Sequence, residues 1–249
     1  MTPELEQAVA GLYEAFSVYR MPEEVEMSPY RTPESEIGAM KTKPLRDLSA
    51  HDLTPFAFHA LTTVGNSELL KYALPRLLEL VAADELAVNP EIVVGKLAYG
   101  QWRAWPATEQ GAIRRYLMAW WRASLGQGVQ EMGFGIDTVL TAIAQVEPDL
   151  TLYLEAWELS VVSASTDQLA SFVVDLWRGE RGAFQPNPFL SKDSSEWRQI
   201  ERWLVRPEVL RCLEDGQLLA LKRGLDAESY DLYDTAIETV RVLLPQVST

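Results

Sequence analysis

Apolar residues between Leu69 and Val81 recur at the spacing of one helical face, and this constrains the chain more than any other feature. Leu69, Leu70, Ala73, Leu74, Leu77, Leu78 and Val81 fall together, while Glu68, Lys71, Arg76 and Glu79 fall outside. At 3.6 residues per turn, positions three and four apart share a face, so the pattern makes a broad apolar stripe that must be buried. Near the other end Leu232, Ala236, Ile237, Val240, Leu243 and Leu244 form a second stripe, with Asp231, Asp234, Glu238 and Arg241 outside it. No strand-length run of alternating apolar and polar β-branched residues competes, and Leu218–Leu221 is too short to decide.

Cap chemistry points the same way. Thr2-Pro3, Thr32-Pro33, Thr54-Pro55 and Asn89-Pro90 each put a proline after a residue whose side chain can accept an orphan N–H. Proline at the first helical position gives up a donor that has no partner there. Ser165-Thr166-Asp167-Gln168 fits a capping box, and Ser49-Ala50-His51-Asp52 is a weaker one. Pro75 lies inside the Leu69–Val81 stripe, so a kink or break is expected near residue 74. Helices are expected over 3–20, 54–64, 67–83, 90–100, 106–125, 137–147, 149–163, 166–178, 195–206, 207–215 and 226–244.

The fold class is therefore all-α. Taken in pairs starting near residues 54, 90, 137, 166 and 207, the helices are spaced by about 36, 47, 29 and 41 residues, a loose match to the roughly 33–47-residue period of solenoid repeats. The expectation is an irregular α-solenoid or α–α superhelix of about 10–11 helices, and the alternative is a compact multi-helix bundle. One helical domain is expected over residues 1–249, with long connectors at 21–48 and 179–193. Tyr30, Ile37, Phe184 and Phe189 are the residues that would pin those connectors, unless the connectors are binding loops.

Charge excludes some classes. The chain has 36 acidic and 22 basic residues, a net charge of -14, so no nucleic-acid partner is expected, because phosphate binding rests on Lys and Arg. Cys212 is the sole cysteine, which rules out an internal disulfide. The amino-terminal stretch lacks a basic region followed by an apolar run, and no apolar stretch is long enough to span a bilayer. A cytoplasmic protein with no membrane partner is expected.

Reactive constellations are scarce. The two histidines are His51 and His59, and Pro55 is expected to separate them. His51-Asp52 lacks the upstream histidine of a metal phosphohydrolase. Glu-x-x-His, His-Glu-x-x-His and Gly-x-Ser-x-Gly are missing. The stretch Gly126–Gly135 lacks the Gly-Lys-Ser/Thr end of a phosphate loop and reads as a helix exit. Asp226, Glu228, Asp231 and Asp234 lack the spacing of a calcium loop and read as a helix start. Cys212, in a helical stretch expected to end at Gly216, reads as a small buried hydrophobe. No catalytic residue, metal ligand or cofactor is assigned.

Residues 101–126 depart from the acidic average. Arg103, Arg114, Arg115 and Arg122 face one acid, Glu109, and Trp102, Trp105, Trp120 and Trp121 lie among them. Ile113, Leu117 and Trp120 read as core. Arginine and tryptophan are enriched at interface hot spots, so Trp102, Arg103, Trp105, Arg114, Arg115 and Arg122 form a candidate contact set, joined by Tyr30 and Arg31 of the first connector.

The segments Leu61–Asn66, Leu69–Leu80, Gly95-Lys96-Leu97 and Trp105-Pro106 resemble a family of uncharacterised bacterial all-helical proteins. That resemblance implies helices and a bacterial origin and brings no activity or site residue. A looser similarity to HEAT-type solenoids rests on helix lengths. The function expected is a non-enzymatic protein–protein interaction module whose acidity suits a basic protein partner, such as an immunity, inhibitor or adaptor protein. The alternatives are an enzyme with a dispersed His/carboxylate site and a small-ligand-binding regulatory domain.

Overall fold

The computed structural model describes residues 1–160, 162–176, 183–224 and 227–244. Residues 179–182 of the second connector, Asp226, and the side chain of Glu228 lie outside that description. The fold is all-α. Among the described residues there are twelve α-helices and no strand. Isolated bridges join Met27 and Ala60 to Val64 without building a sheet. No described helix is long and apolar enough to cross a membrane. The chain divides into two compact units, Met1–Ala123 and Ser124–Thr249.

The first unit contains α1 (Pro3–Ala15), α2 (Pro33–Thr42), α3 (Ala50–His59), α4 (Ser67–Ala82), α5 (Pro90–Tyr99) and most of α6 (Ala107–Leu125). α4 is its centre. It packs against α1, α3, α5 and the short turn Leu45–Asp47, and Tyr116 on α6 donates from its hydroxyl to the Leu78 carbonyl at 2.7 Å. Ten of its sixteen residues are buried, Lys71, Pro75 and Leu80 among them, so burial extends well beyond the expected stripe. α4 runs unbroken from Ser67 to Ala82 through Pro75, and no break falls near residue 74. Helices on several sides hold it, which offsets the hydrogen bond lost to the Lys71 carbonyl.

Two cap expectations change. α3 starts at Ala50, not at Pro55. Ser49 Oγ accepts from the Asp52 N–H at 3.2 Å and the Asp52 carboxylate accepts from the Ser49 N–H at 2.9 Å, so the weaker-looking box sets the boundary. Pro55 then lies inside the helix, and both histidines share it. Thr2 caps α1 through its side chain, whereas Thr32 and Asn89 begin α2 and α5 without a side-chain bond. α2 itself lies within the expected 21–48 connector, with Ile37 and Met40 buried and Tyr30 exposed.

The second unit contains α7 (Ile136–Ala144), α8 (Thr151–Glu158), α9 (Ser163–Leu176), α10 (Ser195–Leu204), α11 (Pro207–Arg223) and α12 (Ala227–Leu243). α9 packs against α7, α11 and α12, and α8 packs against α10 and α11. The expected capping box at Ser165 is not formed, because α9 starts at Ser163 and Ser165 lies inside its first turn. Gln168 instead donates to the carbonyls of Ser124 at 2.8 Å and Gln127 at 2.5 Å, fastening the glycine-rich exit of α6. α11 does not end at Gly216. It continues to Arg223, and Gly224, at φ 68°, takes the left-handed stop. Gly216 is buried where α11 meets α9 and α12. In the second connector Phe184 and Leu190 are buried, while Phe189 is exposed.

Candidate functional site

The tryptophans of the expected contact set belong to the core. Trp102 is 1% exposed and Trp105 8%, and Trp120 and Trp121 are buried too. Trp105 donates its indole N–H to the Gly100 carbonyl at 2.9 Å, and a Cβ on Gly100 would sit 3.1 Å from the Trp105 ring. Glycine there leaves room for the Trp105 ring against the end of α5, and Trp102 and Trp105 are both buried. The four arginines stay exposed. The Arg114 and Arg103 guanidinium carbons lie 5.1 and 5.9 Å from the Trp102 ring centroid. Arg122 pairs with Glu4 at 2.8 Å.

Beneath this segment a buried ionic cluster closes on itself. Lys71 Nζ is 2.8 Å from Glu109 Oε2 and donates to the Tyr19 hydroxyl at 2.9 Å, while that hydroxyl donates to Glu109 Oε1 at 2.6 Å. The ammonium also sits 4.5 Å from the Trp105 ring centroid. Burial alone would pull the Lys71 pKa down. The hydrogen bonds to Glu109 and Tyr19, and the Glu109 charge, outweigh it and hold the value above normal. Charges matched in this way serve to clamp α4 to α6.

The first connector does meet a polar constellation. Arg31 lies 3.3 Å from Glu36 Oε1, and Glu36 Oε2 is 2.8 Å from His59 Nδ1. Glu36, on α2, is 5% exposed, and His59, ending α3, keeps a quarter of its side chain open. A carboxylate against Nδ1 orients the ring, as the acid does in a catalytic triad. Next to it Lys96, 5% exposed, donates to the Phe58 carbonyl at 2.9 Å and lies 5.8 Å from the Tyr99 ring centroid. Burial pushes the Lys96 pKa down. Tyr30, Phe58 and Tyr99 are exposed aromatics of this neighbourhood. Glu36 and Lys96 carried one sequence signal, a charged residue inside an otherwise apolar helical face. Glu36 precedes Ile37 and stands four residues before Met40, and both of those are buried.

His51 stays exposed at the start of α3, away from this group. Among the described residues no three His, Cys, Asp or Glu side chains converge as metal ligands. Cys212 is half-buried on α11, its Sγ 3.6 Å from the Glu158 carbonyl, and burial followed by the Glu158 charge pushes its thiol pKa up.

Compared with family models, curated proteins and solved structures, the chain matches none.

Acidity is unequally divided. Residues 1–123 hold 12 basic and 16 acidic side chains, and residues 124–249 hold 10 and 20. On α12, Asp231, Asp234 and Glu238 stand exposed at i, i+3 and i+7, one helical face. Asp234 accepts from Gln217 Nε2 at 2.5 Å, and Asp215 on α11 is exposed as well. Ala236, Ile237 and Val240 bury the opposite face, so core packing fixes the direction of the acids.

Proposed function

We propose that the chain is a non-enzymatic protein-interaction module that offers an acidic surface to a basic protein partner, as an immunity, inhibitor or adaptor protein does. The observation that supports this reading is the solvent face of α12. Asp231, Asp234 and Glu238 stand there on a packed helix, in a unit with twice as many acids as bases. A field of that sign raises the encounter rate with cationic proteins and disfavours anionic ones. A cytoplasmic location accompanies the proposal.

The test is affinity capture with the full chain in its native host, followed by native mass spectrometry. A stoichiometric basic protein is expected, released as salt rises. Asp231→Asn, Asp234→Asn and Glu238→Gln together are expected to slow association by about tenfold, since surface charges act mainly on encounter. Recovery of a partner that ignores both salt and this triple variant refutes the reading, and so does a chain that carries a tight small metabolite and no protein.

A second reading, an enzyme with a dispersed site, has the Glu36–His59 pair and Arg31 in its favour. It requires turnover that is lost in His59→Gln and in Glu36→Gln while α12 variants keep it.

A further inference from the structure

The second unit carries an opposite feature on the pair α8 and α10. A groove of about 260 Å³ runs between them, lined by Thr151, Leu154 and Glu155 from α8 and by Gln199, Arg202, Trp203 and Arg206 on the other side. Its floor is apolar. Leu154 and Trp203 are buried, and the Trp203 indole N–H is already given to Glu158 Oε1 at 2.7 Å. Gln199 is used up as well, accepting from the Leu150 N–H at 2.9 Å and donating to the Pro148 carbonyl at 2.6 Å. Arg206 is matched by Glu158 at 3.0 Å.

Arg198 and Arg202 are different. They stand one turn apart on the exposed face of α10, and Arg202 also borders a neighbouring hollow that it shares with Arg198, Ser195 and Glu201. The Arg202 Nε–H is given to the Arg198 carbonyl at 3.0 Å, and no carboxylate among the described residues lies within ion-pair distance of either guanidinium. Glu201 shares their hollow and Glu155 lines the groove beside Arg202, yet neither forms an ion pair with them. On the α8 side Leu152 and Leu159, one on each side of Glu155 in sequence, are 67% and 78% exposed. Leu152 lies on that helix and Leu159 caps its end.

We propose that the α8–α10 groove binds an acidic amphipathic peptide segment of a second protein. Its carboxylates, spaced one helical turn apart, pair with Arg198 and Arg202, and its apolar side chains cover Leu154, Trp203 and the exposed leucines. A guanidinium presents a planar fork that matches a carboxylate, and an apolar floor beside it supplies the non-directional part of the affinity. A nucleic-acid strand fits less well. It brings a continuous line of phosphates where two arginines can receive only a pair of charges, and it has no apolar face for the leucines. With the basic partner proposed for α12, this second site would make the chain an adaptor between two proteins of opposite charge. The groove itself does not depend on that reading.

The probe is a fluorescein-labelled helical peptide with Glu at i and i+4 and Leu at i+3 and i+7, compared with the same peptide carrying Gln for Glu. Fluorescence anisotropy with the full chain is expected to show saturable binding of the Glu peptide, at least about tenfold tighter than the Gln peptide. Arg198→Gln with Arg202→Gln is expected to remove that preference. Lys192→Gln with Lys222→Gln, the same loss of two charges at exposed positions elsewhere on the unit, is expected to leave it. The α12 triple variant is also expected to leave it, so failure here and failure of the basic-partner reading are separate results. Equal binding of both peptides overturns the proposal, as does no saturable binding of either. Preferential binding of a single-stranded oligonucleotide over the Glu peptide overturns it too.

Discussion

Replacing Gly216 by alanine is a sharp test of how the second unit is built. In a solvent-exposed helix the change stabilises by about 1 kcal/mol, because glycine has more backbone freedom to lose. At Gly216 the added Cβ would lie 2.6 Å from Thr166 Cβ, 2.9 Å from Thr166 Oγ1 and 2.8 Å from Tyr233 Cε1. These are rigid neighbours. Thr166 belongs to α9, and Tyr233, on α12, is 1% exposed and anchored by its hydroxyl to Thr166 Oγ1 at 3.0 Å and Asp167 Oδ1 at 2.7 Å. Overpacking of this kind costs about 1–3 kcal/mol. A shift of the Tyr233 ring weakens hydrogen bonds each contributing about 1 kcal/mol. Set against the propensity gain, the net is a destabilisation of about 1–4 kcal/mol. Gly11, on α1, has nothing within 4 Å of where its Cβ would be, so Gly11→Ala is expected to stabilise by up to about 1 kcal/mol. Calorimetric unfolding of the full chain reads both. If Gly216→Ala raises the melting temperature as Gly11→Ala does, the three helices do not meet at that glycine and the packing argument is wrong.

Breaking the buried cluster by Glu109→Gln leaves Lys71 charged and unmatched, and is expected to cost about 3–5 kcal/mol in chemical denaturation at neutral pH. Tyr19 and Lys71 both titrate above their ordinary values of 10.0 and 10.5 in the folded chain, so their stabilisation is complete below those values and is lost as pH rises through the raised ones. Glu109→Gln should accordingly flatten the alkaline loss of stability seen in the parent protein. At the acid end, hydrogen bonds from Lys43 and Ser49 lower the Asp52 pKa from 3.8 to about 2, so its contribution is present above 3.8 and fades as pH falls through about 2. Asp52→Asn should remove that acid-dependent part of the unfolding curve, and Ser49→Ala should cost about 0.5–2 kcal/mol by opening the cap of α3.

The helical class and the position of most helices follow from local rules. The Leu69–Val81 stripe and the Pro3 and Pro90 starts act within a turn or two, and α4 covers that stripe while α1 and α5 begin where those prolines place them. Local rules fail where a distant surface overrides them. Gly216 reads as a helix stop, but it lies under Thr166 and Tyr233, whose contacts come from residues 50 positions earlier and 17 later. Pro55 reads as a helix start, but the reciprocal Ser49–Asp52 bonds begin the helix one turn sooner. Trp102 and Trp105 read as an aromatic contact patch, yet both are buried, Trp105 against the space that Gly100 leaves open.

The candidate sites divide in the same way. The acids of α12 are visible in the amino-acid order, because three charges at i, i+3 and i+7 opposite an apolar stripe must face solvent. The His59–Glu36–Arg31 group is not, since it joins α2, α3 and the connector between α1 and α2, and no local pattern encodes which carboxylate meets which ring.

From its order of residues alone this chain is committed to be helical and acidic, with no internal disulfide, because periodicity, capping, charge and cysteine count are properties of the sequence itself. Which tryptophans are hidden, and which carboxylate meets Lys71 or His59, were settled by the packing of segments far apart in sequence. Burial and ion pairing are set by distances in space, and those exist only once the helices have met.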